Sequence, residues 1–93
     1  MIRIVIVEDH TLFREGIKSI LTKIPDFRIV AEFNNGKVFC DELFNFESDV
    51  VLMDIEMPVM NGIEAARTAS IKKPGIQIIA LSMYNDRKYY YEM

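Results

Sequence analysis

Three short runs of mostly apolar residues constrain the fold of this 93-residue chain more than any other feature. Each run stops abruptly at a polar residue. The runs, with the residues that end them, are Ile2–Val7 with Glu8, Asp49–Met53 with Asp54, and Gln77–Leu81 with Ser82. Short, continuously apolar runs are typical of strands that are buried on both faces, which is the arrangement in parallel sheets. The sequence therefore predicts a parallel sheet whose strands end on polar side chains.

The segment that follows the first strand has the apolar spacing of an amphipathic helix. Asp9 or Thr11 is expected to cap the start of this helix, because either side chain can accept a hydrogen bond from a free main-chain N–H group. Arg14 and Lys18 are predicted to lie on its solvent-facing side. The predicted inward face consists of Phe13, Ile17, Ile20, Leu21 and Ile24.

The remaining segments continue the alternation of strand and helix. Phe27–Phe33 alternates weakly and predicts a second strand. Helices are predicted over Lys37–Phe46, over Gly62–Ser70 and from Asn85 onward. Four strand–helix alternations predict an α/β fold, a doubly wound parallel sheet with helices on both faces and right-handed crossovers. The predicted inward residues of the second and third helices are Phe39, Leu43, Phe46, Ile63 and Ala66.

Composition and charge exclude several classes of function. Hydrophobic residues make up 51% of the chain, which suits a packed core and argues against a disordered tail. The net charge of -3 leaves no basic patch for phosphate contacts, so the chain alone is not expected to bind nucleic acid. No apolar run approaches the roughly 20 residues that span a bilayer. Cys40 is the single cysteine, so no internal disulfide can form, and a cytoplasmic protein without membrane contact is expected.

The polar residues at the strand ends point to metal and phosphoryl chemistry. The carboxyl ends of parallel strands lie at one edge of a sheet, so these residues are expected to converge there. Clustered carboxylates repel one another, and Mg²⁺, which prefers oxygen ligands, relieves that repulsion. Asp54, alone at the end of a central strand, is the predicted nucleophile, which would form an aspartyl phosphate and would also contact the ion. Asp9 is the predicted direct metal ligand, and Glu8 is expected to act through water. The main-chain carbonyl of Glu56 is a candidate third ligand, and Ser82 is expected to hydrogen-bond a phosphoryl oxygen.

Simpler interpretations of the same residues stay open. A strand-terminal acid such as Asp9 often does no more than cap a helix, and Ser82 alone fits a hydrogen bond to nearby main chain. His10 is interpreted as a loop or helix-start residue without a role in proton transfer. Pro58 and Gly62 are expected to shape a tight loop after the third strand, Gly62 because it adopts conformations that other residues avoid.

Three segments, IVIVEDH, VVLMDIEMPVMNGIEA and IIALSM, together resemble the receiver domain of bacterial two-component response regulators. The first helix, HTLFREGIKSIL, resembles more narrowly the receivers that precede a LuxR/NarL-type helix-turn-helix domain. The resemblance covers essentially the whole chain and implies a flavodoxin-like fold with strand order 2-1-3-4-5. It implies that Asp54 is the phosphoacceptor, that Glu8 and Asp9 organise Mg²⁺ with the Glu56 main chain, and that Ser82 engages the phosphoryl group in the switched state. The implied partners are a sensor histidine kinase or a small phosphodonor such as acetyl phosphate.

The sequence departs from the family pattern at its end. Receivers have five strand–helix units, and this sequence stops at Met93, within what the pattern makes the fourth helix. The fifth strand and helix are therefore expected to be missing, together with the active-site lysine of the family, and Lys88 lies on the wrong element to replace it. Residues 1–93 are interpreted as an incomplete receiver domain, with four of five units, from a longer transcription regulator whose DNA-binding output domain is absent.

The leading hypothesis is a signalling domain that takes a phosphoryl group on Asp54 and switches a partner, rather than an enzyme with turnover. A phosphohydrolase would need a second acid–base group close to Asp54, and only Glu56 offers itself. The alternative is a non-phosphorylated interaction module, because the fourth strand would present an exposed apolar edge. Such an edge favours a homodimer or a domain-swapped dimer.

Overall fold

Strands and helices alternate along the chain in the computed structural model, which describes residues 1–55 and 60–81. All four predicted strands are present, within one residue of their predicted bounds. The helix predicted from Asn85 lies outside the described residues, as do Glu56, Pro58, Ser82 and Lys88. The elements are β1 (Ile2–Val7), α1 (Thr11–Leu21), β2 (Phe27–Phe33), α2 (Gly36–Asp41), β3 (Val50–Asp54), α3 (Gly62–Lys72) and β4 (Ile78–Leu81).

The four strands form one parallel sheet in the order β2-β1-β3-β4. The chain passes from β1 to β2 and then returns to β3 on the other side of β1, so the direction of winding reverses between β1 and β3. The register pairs Val7 with Met53, and Asp54 with Leu81. The carboxyl ends of the two central strands therefore lie side by side, where open α/β sheets bind their ligands. The predicted doubly wound α/β class is confirmed.

Alternate residues of β1 and β3 form the centre of the hydrophobic core, which α2 and α3 cover. Phe39 of α2 extends this core toward two further rings, with centroids 5.9 Å away at Phe33 and 5.8 Å away at Phe46. Full burial of one large apolar side chain contributes about 1.5–3 kcal/mol to the free energy of unfolding. Because the core cluster buries several such side chains, it is the main apolar contact that holds α2 and α3 on the sheet. Its buried members are Val5, Val7, Phe39, Cys40, Leu43, Val51, Met53, Ala65 and Ala69.

The covered face of α1 agrees only in part with the predicted one, because Phe13, Ile17 and Leu21 are partly covered as predicted and the other two residues are not. Ile20 and Ile24 are 65% and 38% exposed, although the apolar spacing predicts that both face the core. Arg14 and Lys18, predicted to face solvent, are instead partly covered. The reason is that both pair with Glu32 on β2, where Arg14 Nε and Lys18 Nζ lie 3.4 and 3.0 Å from its carboxylate oxygens. The Arg14–Lys18 side of the helix therefore lies next to β2.

The start of α1 also differs from the prediction. His10 occupies the N-cap position, and its side chain makes no capping hydrogen bond. Neither Asp9 nor Thr11 therefore caps the helix. The Asp9 carboxylate lies 3.1 Å from His10 Nδ1 instead, so it faces the strand ends rather than the free N–H groups of the helix.

The second helix, α2, is shorter than predicted and ends at Asp41 rather than at Phe46. Lys73 stabilises the turns that follow by donating hydrogen bonds to the carbonyl oxygens of Leu43 and Phe46, across 3.3 and 3.1 Å. The inward side chains predicted for this segment are nevertheless confirmed. Phe39 and Leu43 are fully buried, and Phe46 packs against the core.

The third helix contacts the core through small side chains. Ala65 and Ala69 are fully buried, whereas Ile63 and Ala66, the predicted core contacts, are only partly covered. A Cβ added to Gly36 at the start of α2 would lie 2.9 Å from Ala65 Cβ. The two helices approach too closely for large residues at these positions, and this close approach explains the error.

The fourth strand is less buried than its apolar sequence predicts. Ile79 is 53% exposed, and no residue of β4 is fully buried. Within residues 1–55 and 60–81, β4 pairs with β3 alone and so forms one edge of the sheet.

Candidate functional site

Three carboxylates and one imidazole meet at the carboxyl ends of β1 and β3. Because the two strands are in register at these ends, Glu8 and Asp9 lie beside Asp54, the last residue of β3. One ligand atom from each of Glu8, Asp9, His10 and Asp54 lies within 4.8 Å of the others. The structure thus brings together the three acids that the sequence assigns to this edge and adds His10 to them.

The burial of these acids creates a demand for positive charge. Glu8 and Asp54 are 0% and 1% exposed, and burying a carboxylate is costly unless a cation or hydrogen-bond donors compensate. Glu8 Oε1 accepts hydrogen bonds from the main-chain N–H of His10, at 3.0 Å, and from its Nδ1, at 3.1 Å. Glu8 Oε2 is buried and has no hydrogen-bond partner among the described residues. A buried carboxylate oxygen beside two further carboxylates fits a hard divalent cation such as Mg²⁺.

His10 is the residue of this cluster that the sequence did not assign to it. Its position at the start of α1 agrees with the interpretation as a helix-start residue, yet its Nδ1 lies 3.1 Å from both Glu8 Oε1 and Asp9 Oδ1. The hydrogen bond to Glu8, followed by the charge of Asp9, raises the pKa of the His10 imidazole. The signal in the sequence was the direct succession of two acids and a histidine at a strand end, a spacing that leaves the imidazole next to the carboxylates.

Arg14 connects this cluster to the neighbouring strand. Its Nη1 donates a hydrogen bond to the main-chain carbonyl oxygen of Glu8 across 2.8 Å, while its Nε lies 3.4 Å from the carboxylate of Glu32. Lys18 adds a second cation at Glu32. The turn that carries the acidic pair is therefore tied to both α1 and β2.

An open cleft of about 440 Å³ lies at the carboxyl end of β2. None of the three clustered acids lines it, so it is separate from the carboxylate cluster, although Arg14 borders both. Its lining residues are Arg14, Glu32, Phe33, Asn34 and Val38.

Gly62 holds the start of α3 against the end of β3. Its N–H donates to the carbonyl oxygen of Ile55 across 2.8 Å. An added Cβ would overlap the carbonyl oxygen of Asp54 and lie 2.8 Å from Ile55 Cα. The predicted reason for this glycine is therefore wrong, because the glycine with a positive φ, of 92°, is Gly75. Gly62 is required for the close approach of α3 to the main chain of Asp54.

Two of the residues assigned from the sequence, Glu56 and Ser82, lie outside residues 1–55 and 60–81. Their roles as main-chain metal ligand and phosphoryl contact stay predictions. The same holds for the loop-shaping role of Pro58.

Comparison with known proteins identifies the family. The response regulator receiver domain family matches residues 4–93 of the sequence. The chain belongs to this family. Its sheet order agrees with the receiver fold, and the predicted resemblance is confirmed.

Individual proteins show the same relationship. The transcriptional regulatory protein DegU of Brevibacillus brevis is 42% identical over 88 residues, which cover 95% of this chain and 37% of DegU. A LuxR-family response regulator from Aurantimonas sp. SI85-9A1 superimposes with a TM-score of 0.92 at 26% identity, over 99% of this chain and 66% of that one. The response regulator domain of Thermotoga maritima CheB gives a TM-score of 0.87 at 31% identity, over 99% of this chain and 69% of that one.

The receiver chain spans only 37–40% of the length of the transcriptional regulators and other response regulators that it matches first. Activities of those whole proteins therefore are not properties of this chain by similarity alone. In the described part of the receiver, no helix is long and apolar enough to cross a membrane.

Proposed function

We propose that this receiver domain accepts a phosphoryl group on Asp54 in a Mg²⁺-dependent reaction and that the modified domain switches a partner. The observation that carries the proposal is the buried carboxylate cluster, in which Asp54 stands within 4.8 Å of ligand atoms of Glu8 and Asp9. Membership of the receiver family supports the same reading. The domain acts here as a phosphoacceptor that is modified once, not as an enzyme with turnover.

The carboxylates of Asp9 and Asp54 would hold the ion directly, with Glu8 acting through water and the main-chain carbonyl of Glu56 as a further ligand. The unpartnered Oε2 of Glu8 supports a cation at this position. A bound Mg²⁺ supplies neutralisation of the negative charge that a phosphodonor brings to a cluster of acids.

Asp54 provides the nucleophile. One of its carboxylate oxygens forms a bond to phosphorus, while the bond from phosphorus to the donor breaks and its electron pair leaves with the donor group. The leaving atom is an imidazole nitrogen when the donor is a phosphorylated histidine kinase, and an acetate oxygen when it is acetyl phosphate. The product is an aspartyl phosphate on β3, next to the start of α3.

Ser82 would hydrogen-bond a phosphoryl oxygen and so favour one of two packings of the chain after β4, which a partner reads. We further propose that residues 1–93 are the receiver portion of a longer, cytoplasmic transcription regulator whose output domain binds DNA. The transcriptional regulatory protein DegU, of which the matched part is 37%, supports this wider context.

The test is phosphorylation followed by intact-mass measurement. The chain is incubated with acetyl phosphate and Mg²⁺, and a mass gain of one phosphoryl group is expected. Asp54→Asn should abolish the gain. Asp41→Asn is the matched control. Asp41 is an exposed aspartate on α2 and pairs only with Lys37, across 3.1 Å, in the described structure. The Asp41→Asn chain should gain one phosphoryl group, as the wild type does. A gain that persists in Asp54→Asn would overturn the assignment of the phosphoacceptor.

A second candidate function is a non-phosphorylated interaction module that pairs through β4. The position of β4 at one edge of the described sheet and the 53% exposure of Ile79 favour it. Sedimentation of the unphosphorylated chain tests it: a stable dimer that Ile79→Lys disrupts, in a chain that acetyl phosphate does not modify, would favour this function over the first.

A further inference from the structure

We propose that His10 is a nitrogen ligand for divalent transition-metal ions at the carboxylate cluster, so that this receiver selects Mn²⁺, Co²⁺ or Ni²⁺ over Mg²⁺. The inference rests on the metal site of the proposed function and adds to it a residue that discriminates between cations.

The spacing of the atoms fits a shared ion. His10 Nδ1 lies 3.1 Å from Glu8 Oε1 and 3.1 Å from Asp9 Oδ1. Metal–nitrogen and metal–oxygen bonds are about 2.0–2.2 Å long. In an octahedral site with these bond lengths, neighbouring ligand atoms lie about 3 Å apart and opposite ligand atoms about 4.2 Å apart. The 4.8 Å span of the whole cluster is within a small adjustment of these values.

A second observation indicates that the cluster takes a cation. The Glu8 side chain is 0% exposed, and its Oε2 has no hydrogen-bond partner in the part of the chain that the structure describes. The main-chain N–H of His10 donates to the other oxygen, Oε1, and Nδ1 lies 3.1 Å from that oxygen. An ion bound at Nδ1 would replace the proton that Nδ1 otherwise shares with Oε1. A cation in the cluster, with a water between it and Glu8, would compensate the buried oxygen that the described residues leave without a donor.

The donor set then decides which cation is favoured. Mg²⁺ prefers oxygen ligands and keeps several of its waters, so an imidazole adds little to its binding. Imidazole is a favourable ligand for transition metals, whose affinity for sites of this kind rises from Mn²⁺ through Co²⁺ to Ni²⁺. His10 should therefore strengthen the binding of these ions selectively.

The rest of the chain offers little competition for this role. His10 is the single histidine and Cys40 the single cysteine of the sequence. Cys40 lies in the core, with its thiol 3.6 Å from the carbonyl oxygen of Ala65, and burial raises the pKa of that thiol. A protonated, buried thiol is a poor metal ligand. A single imidazole signal can accordingly be assigned to His10.

The experiment uses the tag-free chain, because an affinity tag would supply further imidazoles. Pulsed electron paramagnetic resonance of the Mn²⁺-loaded wild type is expected to show modulation from one imidazole nitrogen, and His10→Asn is expected to lack it. Calorimetric titration should show that His10→Asn binds Co²⁺ at least about tenfold more weakly, the lower end of the loss seen when a group that only supports a metal ligand is removed. Its Mg²⁺ affinity should match that of the wild type. Asparagine is common at helix starts, so the variant keeps a suitable residue at the N-cap.

The outcomes separate this inference from the proposed function. If the wild type binds Mg²⁺ and Mn²⁺ without nitrogen modulation, His10 is not a ligand and the inference fails, while the metal site stands. If His10→Asn loses Mg²⁺ and Co²⁺ equally, His10 supports the cluster without discriminating between ions, and the inference also fails. If the wild type binds neither ion, both the inference and the metal requirement of the proposed function are overturned.

Discussion

Arg14 on α1 donates a hydrogen bond from Nη1 to the main-chain carbonyl oxygen of Glu8, across 2.8 Å, while its Nε lies 3.4 Å from Glu32 on β2. One side chain thus fixes the turn that carries the first acid of the cluster to the neighbouring strand. A planar guanidinium presents several donors in a fixed geometry and can reach both groups at once, which a single lysine ammonium cannot reproduce. Arg14 is therefore a positioning residue for the acidic pair.

Replacing Arg14 with Met is expected to weaken Mg²⁺ binding about 10- to 100-fold, as is typical when a group that orients a metal ligand is lost. Arg14→Lys should restore only part of this affinity. Calorimetric titration with Mg²⁺ measures the effect. Lys18→Met is the matched control, because Lys18 pairs with Glu32 across 3.0 Å and with Glu15 across 3.6 Å rather than with the turn. Equal losses in Arg14→Met and Lys18→Met would contradict the positioning role.

Adding one methyl group at Gly62 is expected to destabilise the fold. In Gly62→Ala the new Cβ overlaps the main chain of Asp54, which cannot rotate away as a flexible side chain would. The expected loss in the free energy of unfolding is about 1–3 kcal/mol, the usual cost of overpacking. Gly16→Ala is the matched control: a Cβ there meets nothing within 4 Å, and alanine in a helix interior should stabilise by about 0.5–1 kcal/mol. Urea unfolding of both variants measures the difference, and equal effects would contradict the close approach.

The sheet and the site could be predicted because both depend on local patterns plus topology. Short apolar runs identified β1 and β3, and the alternation with helices made the sheet parallel. Parallel strands place their carboxyl ends at one edge, so the convergence of Glu8, Asp9 and Asp54 followed without any knowledge of side-chain packing.

Features that depend on docking between distant elements could not be predicted. The partial cover of Arg14 and Lys18 accompanies their ion pairs with Glu32, a residue of β2 that is distant in the sequence. The sequence predicts that conformational freedom explains Gly62, but the role of this glycine is steric, because α3 begins against the main chain of Asp54. The inclusion of His10 in the cluster likewise depends on side-chain direction at the start of α1, which sequence spacing leaves open.

The ion pair between Arg3 and Asp49 is expected to make stability depend on pH in the acid range. Asp49 accepts hydrogen bonds from the main-chain N–H of Arg3 at 2.7 Å and from its guanidinium at 3.2 Å. The side-chain hydrogen bond from Arg3, followed by the main-chain one, lowers the pKa of Asp49 below its ordinary value of 3.8. The ionised carboxylate therefore favours the folded state above this pH, and the contribution is lost as the pH falls through the lowered pKa.

Asp49→Asn tests this dependence, because the amide keeps an acceptor oxygen for the main-chain N–H and removes the charge. The free energy of unfolding, measured in urea at a series of pH values, should be lower in the variant at neutral pH. The gap between the variant and the wild type should close below pH 3.8. A gap that stays constant into the acid range would mean that the charge of Asp49 does not contribute to stability.

The buried Glu8 carboxylate is expected to couple stability to Mg²⁺. Its Oε2 has no hydrogen-bond partner in the described part of the chain, and it lies among other acids. Glu8→Gln removes one negative charge from the cluster, so the variant should melt at a higher temperature than the wild type without the ion. Mg²⁺ at ten times its Kd should stabilise the wild type by about 1.4 kcal/mol and the variant by less, since a ligand group is weakened. Melting temperatures with and without Mg²⁺ measure both effects.

Glu47→Gln is the control, at an exposed position, and should respond to Mg²⁺ as the wild type does. If Glu8→Gln gains as much from Mg²⁺ as the wild type, Glu8 does not support the ion, and the cluster would have to bind it without a contribution from Glu8.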